Sequence, residues 1–396
     1  MKIMMLGASQ LQVPAIKTLK KLGHQVIVVD YNKNAIGFPL ADIRLLVSTI
    51  DQDEVYKQAL KYQPDVIMTS TSDAPVKTVA YVNEKLGKRL DISYEDAICA
   101  TNKAFMRKRL KSFNIPIPIF YVANSYNDFK DSLSNFKDLC IIKPADNAGS
   151  RGVRLIDVRD ASINLEEAYE ITKRFSRTGV VMVEEYMIGK EVSVESMTIN
   201  GQTVVLAITD KMVTPEPIFV EIGHSVQSRI SEDVKNEIEK ITKDAVRAIN
   251  IINGPSHTEI KITPQGPKIV EIAARLGGDF ITSKLVPLST GINMVSNSVL
   301  LAIGEPIDLI KRCNLGSSIR FLFANSGIIK SVEIDNSIEN IKEIDEIKFY
   351  KNVGDYINTL ESSDDRIGHI ITKGETVQKA VEAAEQALSK IKITVK

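Results

Sequence analysis

Along the first hundred residues, short apolar runs alternate with longer segments in which apolar and polar positions are mixed. "KIMMLGAS", "QVIVVDYN" and "PDVIMTS" read as strands, with "PAIKTLKKLG", "DEVYKQALKY" and "APVKTVAYVNEKLG" as helices. Such alternation predicts a parallel sheet with helices on both faces. Its strand ends then form a crevice for ligands. From about Asn102 to Glu305 the pattern changes to hairpins separated by two or three helices. In "VSVESMTINGQTVVLAIT" the pair Asn200-Gly201 supplies the positive φ angles of a tight turn. From about Leu315 the strands "SSIRFLFA", "GIIKSVEI" and "HIITKG" precede a helix whose Val377, Ala380, Val381, Ala384 and Leu388 recur at helical spacing, so it packs on a sheet. No long linker or internal repeat separates the three parts.

One hairpin carries unusual side chains. "HTEIKITPQGPKIVEIAAR", residues 257 to 275, reads as two strands joined by a turn at Pro264 to Pro267. Alternation puts Glu259 and Lys261 on one face, opposite to Ile260 and Ile262; Glu271, Ala273 and Arg275 share a face opposite to Val270 and Ile272. A turn centred on Gln265 sets Glu259 across from Glu271, with Cβ atoms ~5 Å apart. Two carboxylates that close repel unless one is protonated or a cation stands between them. Mg²⁺ suits the second case, because it takes one or two carboxylates and completes its shell with water and phosphate oxygens. The competing reading is a solvated face of surface ion pairs, each worth about 0–1 kcal/mol. "RLGG" favours a site: Gly277 and Gly278 bring bare N–H groups beside Arg275, where an oxyanion could develop.

The rest of the composition narrows the classes. The 396 residues allow two or three domains, each with its own core. Fifty acidic residues balance fifty basic ones, so no nucleic-acid or membrane-surface footprint is visible. Cys99, Cys140 and Cys313 lack metal-ligand spacing and are odd in number, which fits packing residues in a reducing cytoplasm. "MKIMMLG" is too short for a signal peptide, and no run of about eighteen apolar residues follows. "GASQLQ" after the first strand lacks the glycines of a dinucleotide fingerprint, which argues against nicotinamide binding.

Lys143 ends the apolar strand "CIIKP", and a buried lysine needs an anion. The following "NAGSRG", with Gly149, Ser150 and Gly152, is small and polar enough for its N–H groups to curl over phosphates as a flap, though a plain hairpin turn would look the same. It lacks the GK[ST] ending of a Walker loop. With these motifs the chain resembles the ATP-grasp ligases over nearly its whole length. "CIIKPADNAGSRGV" resembles their phosphate-covering hairpin, "VVMVEEYMIGKEVSVE" their adenine hinge, and "TEIKITPQGPKIVEIAARLGGD" their metal-binding end.

The resemblance implies an α/β N-terminal domain over 1–101, a two-part ATP-grasp domain over 102–310 with a lid at about 115–187, and a small α+β C-terminal domain over 311–396. It assigns Lys103, Lys143 and the flap to the phosphates of ATP, with Lys211 reaching them from a hairpin. The main chain from Glu184 through Glu185 to Met187 reads adenine, and Glu191 holds the ribose. Glu259 and Glu271 hold Mg²⁺, with Mn²⁺ as a substitute, and Arg275 stabilises the transferring phosphoryl group. Many members carry Asn two residues after the second acid; here Ala273 stands there, so a second metal is expected to be weaker or absent. A solvated helix lysine remains the alternative for Lys103, and a charged hairpin end for Lys211.

The implied activity joins a small-molecule carboxylate to an amine through an acyl phosphate, with a homodimer left open. Glu221 and His224 in "PIFVEIGHSVQS" resemble the substrate-facing loop of amino-acid ligases, and His257 shares the strand face of Glu259. Ser72 and Asp73 in "TSTSDAP" sit at a strand end where ligands gather, but serve equally as helix caps. "DRIGHIITKGETVQKAVEAAEQAL" resembles the end domain of purine and carboxylase members, while "GASQLQV" lacks the glycine-rich opening of glycinamide ribonucleotide synthetases. Amino-acid ligation is therefore the favoured expectation, with the purine ligase second. From another class, a nucleotide-binding protein without turnover would also fit Ala273.

Overall fold

The computed structural model of the chain describes residues 1–396 apart from Ala148, Ser150 and Pro217. Strands β1 (Lys2–Leu6), β2 (Gln25–Asp30), β3 (Ile43–Leu46) and β4 (Val66–Met68) pair in parallel in the order β3-β2-β1-β4. Helices α1 (Val13–Lys21), α2 (Gln52–Tyr62) and α3 (Val76–Lys85) connect and cover them. The strands are apolar throughout because both faces are buried: Ile3, Met5, Val26 and Val28 enter one core, Met4, Leu6, Ile27 and Val29 another. Strand β3 is absent from the sequence reading. It has four residues on the sheet edge, with Arg44 and Leu46 exposed, so it forms no apolar run.

After α4 (Tyr94–Cys99), helix α5 (Lys103–Ser112) is capped by Asn102, whose side chain accepts from the N–H of Ala104 at 3.0 Å and Phe105 at 3.3 Å. The cap fixes where Lys103 leaves the helix. A lid follows: β5 (Phe120–Ala123), β6 (Leu139–Pro144), β7 (Arg154–Asp157) and β8 (Val181–Glu185) form an antiparallel sheet in the order β5-β8-β6-β7. With α6 (Tyr126–Leu133) and α7 (Leu165–Arg174) they enclose their own core around Phe129 and Tyr169.

The largest sheet has eight strands. β9 (Lys190–Ile199), β10 (Gln202–Val213), β11 (Glu221–Val226), β12 (Gly254–Thr263) and β13 (Gly266–Ala273) come from the middle of the chain. Asn200 and Gly201, at φ 50° and 78°, make the two-residue turn from β9 to β10. Helix α8 (Glu232–Ala248) packs on β10 and β13, and α9 (Val286–Thr290) and α10 (Met294–Ala302) lead to the last segment. There β14 (Gly316–Leu322), β15 (Gly327–Ile334), β16 (Ile344–Phe349), β17 (Tyr356–Ile357) and β18 (Gly368–Gly374) follow. The sheet order is β13-β12-β9-β10-β11-β14-β18-β16, so the C-terminal strands extend the central sheet. Helix α11 (Val377–Ser389) lies on β14 and β18 and β19 (Ile391–Val395) joins β15 and β17. Its buried stripe is Ala380, Ala383, Ala384 and Ala387, and these small residues let its backbone approach Gly316 and Gly374. Among the described residues no single helix is long and apolar enough to cross a membrane.

Candidate active site

The hairpin of β12 and β13 sets Glu259 directly across from Glu271, with Thr263 paired to Gly266 around the turn. The solvated-face reading fails here, because the two carboxylate side chains are only 22% and 24% exposed. Between Glu259 and Ile260 the register shifts, so Ile260 pairs with Ile269 and Val270 is the extra residue of a bulge. The bulge corrects the expected alternation: Val270 lines the same cleft as Glu271, while Ile272 stays in the core. It also releases the Val270 carbonyl to accept from Arg107 Nη2 at 2.8 Å.

Each acid has its own cation. Lys103 Nζ donates to Glu271 at 2.9 Å and to the Asn147 carbonyl at 2.8 Å, so it is a buried cleft residue rather than a solvated one. Lys211 Nζ lies 3.1 Å from Glu259, 3.1 Å from Glu221 and 2.7 Å from Glu191. Burial alone would lower Lys211, but the three carboxylates hold it well above the usual lysine range. Glu259 is likewise held far down: burial opposes its charge, and Lys211 and His257 outweigh burial. The repulsion that suggested a divalent ion is thus met here by two lysines. Among the described residues no three His, Cys, Asp or Glu cluster as ligands, and buried Ala273 offers no donor. Two carboxylates fit Mg²⁺ completed by water and phosphate, not an all-protein cage.

Under the lid, Glu184 is buried between two cations, with Arg107 at 2.9 and 3.0 Å and Lys143 at 2.7 Å. Burial opposes the Glu184 charge, yet Arg107 and Lys143 pull it down to about 2. Lys143 is lowered too, because burial and the neighbouring Arg107 and Lys103 outweigh one carboxylate. Its anion need is only partly met. Glu185 pairs with Lys268 at 2.8 Å and spends its N–H on the Ile119 carbonyl. Tyr186 and Met187, past the strand end, line the cleft with Val153, Val213 and Phe219. Gly189 makes this crossing feasible: at φ 149°, a Cβ there would fall 1.9 Å from the Ile262 carbonyl.

At the end of β13, Arg275 forms a two-pronged pair with Asp73 at 2.7 and 3.0 Å. Asp73 is held below its usual range, Arg275 being the largest influence against burial. The alternative that Ser72 and Asp73 cap a helix is corrected: α3 begins after Pro75 with no side-chain cap. Ser72 bonds to the Gln12 side chain. Gly277 and Gly278 do not line the cleft, and the Gly277 N–H donates to fully buried Glu195 at 3.2 Å, which removes it as an oxyanion donor. Gly277 is needed for space instead, since a Cβ would stand 2.6 Å from Glu195 Oε1.

Glu195 also meets His257 Nδ1 at 2.6 Å, and His257 Nε2 lies 3.6 Å from Glu259. Burial would push His257 down, but Glu195 and Glu259 raise it to about 9. His224 does not line the cleft; it meets Asp279 at 3.1 Å, and Arg366 holds the same carboxylate at 2.8 and 2.9 Å under Phe321, 3.7 Å from its ring centroid. Burial opposes the Asp279 charge, and His224 and Arg366 hold it far below the usual aspartate range.

The structure therefore gathers most of the expected residues into one cleft: the lysines 103, 143 and 211, Gly149, the acids 184, 185, 191, 221, 259 and 271, Met187, His257 and Arg275. Ser72 and Asp73 face an adjoining cavity, Gly152 packs against Phe175, and Ser150 lies outside the described residues. Arg107, Glu195, Asp279 and Arg366 went unread. Two of them carried a signal: Arg107 follows Lys103 by one helical turn, and Glu195 shares the strand face of Glu191. The three cysteines are free, and burial pushes Cys140 up to about 12, which makes it inert.

Family comparison places an ATP-grasp domain at residues 136–283 and an L-amino acid ligase C-terminal domain 2 at 320–396. The chain is 25% identical, over 73% of its length, to the uncharacterized protein y4rH of Sinorhizobium fredii, and spans 61% of that protein. It is 22% identical to a phosphoribosylamine--glycine ligase of Methanococcus maripaludis, over 99% of this chain and 94% of that one. The solved L-amino acid ligase of Bacillus licheniformis shares the fold, with a TM-score of 0.83 and 18% identity over 100% of this chain and 98% of that one.

Proposed function

We propose, from the premise that the chain belongs to the ATP-grasp superfamily, that it is an ATP- and Mg²⁺-dependent carboxylate–amine ligase whose acid and amine are amino acids. The observation that carries the chemistry is the facing pair Glu259 and Glu271 in a cleft that Val153, Met187, Val213 and Phe219 also line. A nucleotide needs both kinds of lining: a flat base wants an apolar slot, and phosphates want cations. Tyr186 and Met187 would face adenine, Glu191 the ribose, and Lys103, Lys143 and Lys211 the phosphates. Glu259 and Glu271 would hold Mg²⁺, which when bound neutralises phosphate charge. Arg275, oriented by Asp73, would stabilise the phosphoryl group as it moves to the acid, and the amine then displaces phosphate.

Amino acids are favoured by the L-amino acid ligase match of the C-terminal segment, which supplies Arg366 to Asp279 beside Glu221. Phosphoribosylglycinamide synthesis is the second reading, supported by a relative of that activity aligned over nearly the whole chain. The test is ATP-dependent phosphate release across amino-acid pairs, with phosphoribosylamine plus glycine as a separate arm. Release with an amino-acid pair alone supports the first reading, and release in the phosphoribosylamine arm alone the second. Tight Mg-ATP binding with no release in any mixture would replace both with a nucleotide-binding protein that does not turn over.

A further inference from the structure

A cavity of about 450 Å³ adjoins the cleft and shares Asn147, Arg151 and Glu271 with it. Its walls come from the loop before α3, the start of α5 and the lid turn at Arg177 and Thr178. Three acids line it, and all three are engaged. Asp73 is taken by Arg275 and Glu271 by Lys103, while Asp146 accepts from Ser176 Oγ at 2.8 Å and from the N–H groups of Arg177 and Thr178 at 3.0 Å each. Lys77 and Arg177 also line it, and among the described residues neither has an ion-pair partner. The N-terminal ends of α3 and α5, each ten residues long, add partial positive charge. Two of its acids are thus already paired with Arg275 and Lys103, cations outside the cavity, which leaves Lys77 and Arg177 in excess on its walls, and it adjoins the cleft where Glu271 and Arg275 lie.

We propose that this cavity seats the anionic group of the amine substrate, an inference that rests on the ligase reading. The amine nitrogen must reach the acyl carbon near Arg275. As the C–N bond forms, the bond from the acyl carbon to the phosphate oxygen breaks, and phosphate departs with that electron pair and takes up the amine proton. An amino acid acting as the amine keeps its own carboxylate, which must lie within one residue's length of the reacting centre, and a phosphorylated amine keeps its phosphate. Lys77 on the N-terminal domain and Arg177 on the lid would grip that anion from both sides.

The test uses the full chain saturated with Mg²⁺ and β,γ-imido-ATP, titrated by saturation-transfer NMR with L-alanine, L-alaninamide and phosphoethanolamine. The double variant K77Q/R177Q should bind the nucleotide analogue as wild type does. It should bind the preferred anionic amine at least tenfold more weakly, with no change for L-alaninamide. A preference for L-alanine identifies a carboxylate, and one for phosphoethanolamine a phosphate. Equal affinity of wild type and variant for both anionic amines, or no anion binding by wild type loaded with nucleotide, overturns the assignment of the cavity alone. Failure of wild type to take up the nucleotide analogue strikes the ligase reading first, and this inference with it.

Discussion

Replacing Glu184 by Gln keeps the side-chain shape and removes the one carboxylate that Arg107 and Lys143 share. All three are buried, so neither cation can turn to water. The fall of Glu184 from 4.5 to about 2 corresponds to about 3 kcal/mol of stability at neutral pH. Breaking a buried pair by removing one partner costs a similar ~3–5 kcal/mol. The sign follows from the direction. Because the folded-state value lies below the unfolded one, the contribution is complete above about pH 4.5 and is lost as pH falls toward 2. Urea unfolding followed by circular dichroism at pH 7 should give E184Q a midpoint lower by about 3 kcal/mol divided by the m-value, with the m-value unchanged. The gap between wild type and E184Q should then narrow between pH 4.5 and pH 3. A loss below about 1 kcal/mol at pH 7, or a gap that stays constant on acidification, would show that Lys143 sheds its proton or that water reaches the cluster.

Other substitutions separate the parts of the site. Asp73→Asn should leave the Kd for Mg-ATP within about twofold and lower kcat by about 10²-fold, because Arg275 loses its orienting carboxylate; unchanged turnover in steady-state assays would remove that role. Glu271→Ala should abolish Mg²⁺-dependent nucleotide binding by calorimetry while the fold persists. In wild type, Mg-ATP at 100 times its Kd should add about 2.7 kcal/mol of stability, and a thermal shift retained in the variant would contradict the metal assignment. Gly277→Ala pushes a methyl group to 2.6 Å from Glu195 Oε1. It should cost about 1–3 kcal/mol in urea, and an equal cost in an E195A background would refute the clash.

The sequence reading reached as far as local rules place side chains. The expected pairing of Glu259 with Glu271 is present, but the turn alone does not set it: the turn pairs Thr263 with Gly266, a register that would bring Glu259 against Val270, and the bulge shifts it to Glu271. Strand alternation could not anticipate the bulge at Val270, since a bulge is paid for by a distant partner, Arg107, that alternation does not see. The oxyanion role read for the Gly277 N–H meets a related obstacle: which acceptor takes it depends on β9, 82 residues upstream. Strand β3 was missed because an edge strand with exposed Arg44 and Leu46 has no apolar run to read.

The long-range partners explain why the hairpin acids can stand so close. Glu259 and Glu271 face each other, but Lys211 arrives from β10 and Lys103 from the start of α5, so each carboxylate meets a cation brought by another element. Lysines placed this way have a second use. An ammonium group on a flexible stem can turn from a carboxylate to a phosphate oxygen without moving its backbone, whereas a guanidinium held in a two-pronged pair, as Arg275 is by Asp73, keeps its direction. The site therefore divides into lysines that can exchange partners and arginines, Arg107 and Arg275, that stay aimed. Lys211 shows the cost of that arrangement, because it balances Glu191, Glu221 and Glu259 together. Lys211→Met should leave three carboxylates crowded with no ammonium among them, and the least costly relief is proton uptake by one of them. The variant should therefore lose at least about 3 kcal/mol at pH 7 and recover part of it as pH falls toward 5, through proton uptake by the variant itself, whereas the E184Q gap narrows because wild type weakens. A K211M protein whose urea midpoint falls with acidification as steeply as that of wild type would show that the three acids do not depend on this lysine.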